Sequence, residues 1–256
     1  MAELALQLSL VNSANCDTAL RSGRAVIGSS MSKSKSELPT ISFQRAGPDS
    51  ELIYIELKQL LMIGEFTPGQ KLPLPMLAAA FGTSQMPIRE ATNRLISVRA
   101  LESPPRRSLC VPEATIERID TLLPLRLLLE GEATRLATPN ATSRLTDELA
   151  AITEEMGSKV PNDDFKAYLR LNQQFHFSIY QSCGNSELID LIELLWMRYG
   201  PMLNIVRNGA LSKAGQQHHL EIIRALRDRD AKIAAASMQA DIRDAAIPVR
   251  SALEGK

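Results

Sequence analysis

The sequence predicts a mainly α protein in two parts. A small N-terminal unit of three helices and a hairpin comes first, and an all-α bundle of six helices follows. Two observations predict this. Residues 48–112 hold three short apolar-periodic segments divided by Pro and Gly turns, and residues 113–256 hold helical periodicity almost throughout, with no strand alternation. The length sets the scale: 256 residues, 45% of them hydrophobic, suffice for one large domain or two small ones.

Residues 1–46 lack a sustained period, and "GSSMSKSKSELPT" within them is rich in Ser and Lys, so a disordered tail is expected. Met31 opens that stretch and offers an alternative translation start to Met1. "DSELIYIELKQLLMIG" is an amphipathic helix capped by Asp49 or Ser50 and stopped near Gly64. Pro68-Gly69 suits the centre of a type II turn. "PLPMLAAAFG" is a short helix ended by Gly82.

"SQMPIREATNRL" is a third helix with a proline near its start. A proline is harmless only in the first turn, where backbone N–H groups have no helical acceptor. Ser84 as N-cap makes Pro87 the third helical residue, inside that limit. Ile88, Ala91, Leu95 and Val98 then form an apolar face, with Gln85, Met86, Arg89 and Asn93 largely on another. Glu90 and Arg94, four apart, suit a surface pair. "ALESPPRRSLCV" reads as two short strands around a turn holding Pro104, Pro105, Arg106 and Arg107.

The order helix, helix, tight turn, helix, hairpin over residues 47–112 is that of a winged helix-turn-helix, whose second motif helix enters the DNA major groove. Five arginines against two glutamates between residues 83 and 107 make this stretch locally basic in a chain of zero net charge. Arg89 can donate twice to guanine and Gln85 can pair with adenine. Ser84, Met86, Asn93, Arg94, Arg106 and Arg107 complete the candidate contacts. Periodicity alone equally allows a merely solvated arginine face.

The six later helices are expected near 114–137, 142–157, 162–182, 186–208, 215–228 and 231–252, punctuated by Pro139, Pro161 and Gly184-Asn185. Pro124 is expected to kink the first and Pro248 to bend or fray the last. Cys16, Cys110 and Cys183 are far apart, which argues against a disulfide framework or a cysteine metal site and for a reducing compartment. No run of roughly 20 apolar residues suggests a membrane span. The N-terminus reads as no signal peptide, so a cytoplasmic protein is expected.

The stretch from Leu57 to Val111 resembles the DNA-binding domain of the GntR family of bacterial transcription regulators. The matching pieces are Gly64, Pro68-Gly69, Leu72, Leu77-Ala78, Ser84, Pro87, Arg89-Glu90-Ala91 and Leu95. "LNQQFHFSIYQSCGNSEL" and "HLEIIRALRDRDAKIAAASM" resemble the FCD ligand-binding domain of the FadR subfamily, and six helices suggest its VanR-like branch. The resemblance implies that Arg89 faces DNA. Three positions depart from the family pattern: Gln85 stands where an arginine is usual, Ser108 where the wing has a glycine, and Asp241 where the metal site has a histidine.

Asn172 and His176, four apart, share a helix face, while His219 and Asp241 lie on the fifth and sixth bundle helices. The resemblance implies His176, His219 and Asp241 as ligands of one divalent metal ion, with Asn172 as an oxygen ligand or a support. Such a set suits zinc or nickel. His176, flanked by Phe175 and Phe177, also reads as a hydrogen-bonded core histidine. Arg126 is a candidate fork for an organic-acid effector, or simply the intrahelical partner of Glu130; Arg198 faces the same two readings.

The expected function is a ligand-responsive DNA-binding regulator and no enzyme. A homodimer would grip a palindromic double-stranded operator and be released by a small carboxylate, without membrane involvement. The alternatives are a metal-dependent enzyme with a DNA-binding head, or a regulator whose bundle (113–256) serves only dimerisation.

Overall fold

The computed structural model describes residues 49–105, 107–159, 164–205 and 212–255. The expected tail at 1–46 with Met31 and Cys16, as well as Arg106 and Pro161, lies outside the described residues. Nine α-helices span the described residues: α1 (Ser50–Met62), α2 (Leu74–Ala80), α3 (Gln85–Ser97), α4 (Ile116–Ala137), α5 (Ser143–Lys159), α6 (Phe165–Tyr180), α7 (Ser186–Tyr199), α8 (Ser212–Arg227) and α9 (Ala231–Glu254).

The helix starts follow from local chemistry. Asp49, Thr115, Asp164, Asn185 and Asp230 each accept a backbone N–H in the first turn of α1, α4, α6, α7 and α9. Ser84 caps α3 in extended geometry, and Pro87 is its third residue. The Ser84 side chain makes no capping bond, because the proline has removed one of the two N–H groups such a side chain usually meets. Gly69 has φ +71° and the Gln70 N–H meets the Thr67 carbonyl at 3.1 Å, the expected type II turn. Helix α4 runs through Pro124 and α9 through Pro248, so neither proline ends its helix.

The expected hairpin is reduced to isolated bridges. Glu102 and Cys110 exchange two backbone bonds of 2.9 Å, and Lys71 pairs with Cys110 from the other side. Pro104 and Pro105 have no N–H to extend a ladder, so the wing is a turn closed by Arg107 N–H on the Pro104 carbonyl at 3.0 Å.

The head packs on the bundle through α1. Gly200, directly after α7, has no room for a Cβ against the Leu61 carbonyl, so the two backbones touch there. Asn204 donates to the Phe66 carbonyl at 2.8 Å and also to that of Gly64, and Lys58 pairs with Glu193 at 2.8 Å. In the bundle, α9 lies against both α4 and α8, and α6 against α4 and α5. The facing side chains of α4, α6, α7, α8 and α9 enclose the core in which the histidines sit.

Candidate DNA interface and buried histidine site

Helix α3 buries Ile88, Ala91, Thr92 and Leu95 and exposes Ser84, Gln85, Met86, Arg89 and Asn93. Met86, 66% exposed, is the most solvated of the large apolar side chains there. Gln85, Arg89, Asn93 and Arg107 border one cleft of about 340 Å³ between α3 and the wing turn, with Ser103 and Ser108 on its far side. The apolar interior of the head is thus turned away, and donors of α3 and the wing converge on one opening.

Arg94 does not join them. It lies five residues beyond Arg89, roughly 140° around the helix. Its guanidinium sits 3.7 Å over the Tyr54 ring and pairs with Glu51, both on α1. The expected Glu90 partner is therefore replaced by a residue on another helix.

In the bundle, α6, α8 and α9 bring His176, His219 and Asp241 together, each under one-tenth exposed. Their candidate ligand atoms all lie within 4.8 Å of one another. His176 Nε2 is 3.1 Å from Asp241 Oδ2, and His219 Nε2 is 3.8 Å from Asp241 Oδ1. Asn172, one turn before His176, borders the same small cavity of about 40 Å³, as do Arg126 and Trp196.

His219 stacks on Phe175 with ring centroids 3.8 Å apart, and neither ring nitrogen has a hydrogen-bond partner. Burial drives its pKa down to about 4, against the opposing pull of Asp241, so the ring is neutral with a bare nitrogen. Burial pushes the Asp241 carboxyl up, but the adjacent imidazoles outweigh it and hold it below the usual carboxylate range. Buried polar atoms are nearly always satisfied, so an orphaned imidazole beside a carboxylate fits a site made for a cation. His218, next in sequence, turns away to Asp244 at 2.8 Å.

Arg126 is buried in the core and paired there with Glu130. It donates to both oxygens of Glu130 at 2.7 and 3.4 Å and lies 4.3 Å from the Tyr199 ring centroid. Glu130 also accepts from Tyr180 at 2.6 Å and Trp196 at 2.9 Å, gathering donors from α4, α6 and α7. The sequence marks Glu130 only as the partner of Arg126; the i, i+4 spacing of His176 and Tyr180 is the one local sign of the larger network. Arg198 is absent from the cavity lining and bonds instead to the Val98 carbonyl at 2.7 Å.

Residues 49–111 match the family described as bacterial regulatory proteins, gntR family, and residues 121–244 match the FCD domain. The chain is 33% identical over 179 residues to the HTH-type transcriptional regulator McbR of Escherichia coli (strain K12), covering 68% of this chain and 80% of that protein. It is 27% identical over 181 residues to the Nta operon transcriptional regulator of Aminobacter aminovorans, covering 69% and 83%. The solved structure of E. coli McbR/YncC superposes with a TM-score of 0.73 at 27% identity, covering 79% of this chain and 97% of that one. Among the described residues no helix is long and apolar enough to cross a membrane. These domains and relatives are those of transcription regulators and not of enzymes, which removes the metal-dependent enzyme as an alternative. The chain belongs to the GntR family of bacterial transcription regulators, with a DNA-binding helix-turn-helix head followed by an FCD domain.

Proposed function

We propose that the chain is a cytoplasmic, ligand-responsive repressor that binds a palindromic operator as a homodimer and leaves it when a small carboxylate enters the bundle. The head would comprise residues 47–112 and the effector and dimerisation domain residues 113–256. The observation that carries this reading is the convergence of Gln85, Arg89, Asn93 and Arg107 on one cleft. Arg89 would read guanine in the major groove, Gln85 and Asn93 neighbouring bases, and Ser84, Met86 and Arg107 would seat the helix on the backbone. Arg106 is proposed as a wing contact from its sequence alone.

Exposed leucines support pairing of two copies: Leu125 and Leu128 on α4 and Leu191 on α7 are 47%, 63% and 50% exposed. The sensor would be a divalent metal, zinc or nickel, held by His176, His219 and Asp241 with Asn172 beside it. A bound metal supplies positive charge and open positions for an acid. Arg126, which borders the cavity, would take the acid's other end with the terminal nitrogen that Glu130 leaves. Six bundle helices accord with the VanR-like branch. An effector shifts DNA affinity only by preferring one arrangement of the two heads.

The test is DNA release. Zinc- or nickel-loaded protein on its operator is titrated with small mono- and dicarboxylates in a fluorescence anisotropy assay. Release by a carboxylate, abolished in Arg126→Ala, supports the reading. Release by no acid, with or without metal, would contradict it.

A further inference from the structure

The Tyr180 hydroxyl stands between a carboxylate oxygen and an imidazole nitrogen, and it has one hydrogen to give. It is 2.6 Å from Glu130 Oε2 and 2.9 Å from His176 Nδ1, with Met238 Sδ at 3.4 Å as a weaker neighbour. A phenol ordinarily keeps its hydrogen near neutral pH, so this hydroxyl has one to donate and an oxygen that accepts. Glu130 is a carboxylate paired with the Arg126 guanidinium and accepts from Trp196 as well; it has no proton to return. The Tyr180 hydrogen therefore goes to Glu130. The only way His176 Nδ1 can bond to the same hydroxyl is to donate its own N–H to the phenol oxygen.

With one hydrogen held on Nδ1, the other nitrogen is where the ring can give up a proton: Nε2 carries either a second hydrogen or a lone pair. His176 Nε2 faces Asp241 Oδ2 at 3.1 Å, and the carboxylate has only lone pairs to offer in return. At that distance the two lone pairs need a positive charge between them, either a second ring proton on Nε2 or a metal ion in its place. His219 adds a second imidazole nitrogen, itself without a hydrogen-bond partner, to the same cluster.

We propose that Tyr180 and Glu130 are positioning residues of the metal site: the relay Glu130, Tyr180, His176 Nδ1 holds the His176 ring in the tautomer that aims a bare Nε2 at the metal. The inference rests on the metal reading given above. Without the relay, the ring moves its hydrogen to Nε2, bonds Asp241 directly, and closes the site from within. Trp196 and Arg126 serve the relay by holding the Glu130 carboxylate in place from α7 and α4.

The experiment follows the full-length protein with its histidines labelled by nitrogen-15, and the chain has only three histidines to assign. Long-range proton–nitrogen spectra are recorded on chelator-treated wild type and Tyr180→Phe at mildly alkaline pH. Zinc and nickel affinities of both are measured by competition with a chromophoric chelator. The expected result is an Nδ1–H ring at His176 in the wild type and an Nε2–H ring in Tyr180→Phe, with metal affinity ~10- to 100-fold weaker in the variant. Phenylalanine keeps the ring packing, and Glu130→Gln is the second probe, expected to weaken metal binding in the same direction. An Nε2–H ring in a wild type that binds metal overturns the relay alone. Equal metal affinity in wild type and Tyr180→Phe does the same. A wild type with the Nδ1–H ring that takes up neither metal overturns the metal reading, and the inference with it.

Discussion

Arg198 Nε donates a 2.7 Å hydrogen bond to the main-chain carbonyl of Val98, the residue that ends α3. The bundle thereby caps the helix that carries the candidate DNA contacts. Arg99 follows in the left-handed region with φ +58°, and its N–H and that of Ala100 close back on Ile96 and Leu95 in a Schellman turn. Burial, with Arg99 nearby, lowers the Arg198 pKa. Among the described residues Arg198 has no ion-pair partner, and the Val98 carbonyl is what it binds.

Arg198→Ala should leave the Val98 carbonyl without its side-chain donor and cost about 1 kcal/mol of stability. Urea denaturation checks this. Metal affinity, measured on the same preparation, should not change, since Arg198 is outside the cavity lining.

Glu130→Ala should be among the most damaging single changes in the bundle. It strands the Arg126 guanidinium in the core and removes the acceptor of Tyr180 and Trp196 together. Breaking a buried pair from one side costs roughly 3–5 kcal/mol. A loss below about 1 kcal/mol in urea melts would contradict the network.

The His219 ring makes the metal-free bundle acid-sensitive. Its folded pKa of about 4 lies below the ordinary 6.5, so the unfolded chain binds the proton more readily. Stability is full above pH 6.5, falls as pH drops through that value, and goes on falling until about 4. The whole effect is on the order of 3 kcal/mol. Chelator-treated wild type should lose more stability across this window than His219→Gln does, as read from urea midpoints at several pH values.

Arg94→Ala and Arg89→Ala should part company. Arg94 covers Tyr54 and pairs with Glu51, so its loss should cost up to about 1 kcal/mol of stability and little DNA affinity. Arg89→Ala should leave the melt unchanged and weaken DNA binding. The urea midpoints of the two variants, set beside their DNA affinities, check the division.

Features carried by local rules were legible in the sequence. Pro87 located the start of α3 because only a first-turn position tolerates it, and the Asp49 cap and the Pro68-Gly69 turn follow equally local chemistry. All six bundle helices were visible as periodicity. Convergence between distant segments was legible only through the family resemblance, at His176, His219 and Asp241. Tyr180 and Trp196 reach Glu130 across 50 and 66 residues, and beyond the four-residue step from His176 to Tyr180 no spacing announces it. Arg198 binds a backbone carbonyl, an acceptor that every residue has and no pattern marks. Arg94 had a suitable acid four residues away and took Glu51, because stacking on Tyr54 fixes its direction. The hairpin is shorter than its sequence suggests, because the two consecutive prolines that favour a turn also lack the donors its strands need.

The central claim is that the exposed start of α3 reads DNA. Fluorescence anisotropy of the full-length protein, on fragments selected from its own genome and on scrambled DNA at matched salt, tests it most directly. Selective, salt-sensitive binding is expected, with Arg89→Ala losing about 1–3 kcal/mol on the selected fragments and Arg94→Ala nearly none. An Arg89→Ala protein that binds the selected fragments as tightly and selectively as the wild type would contradict the account.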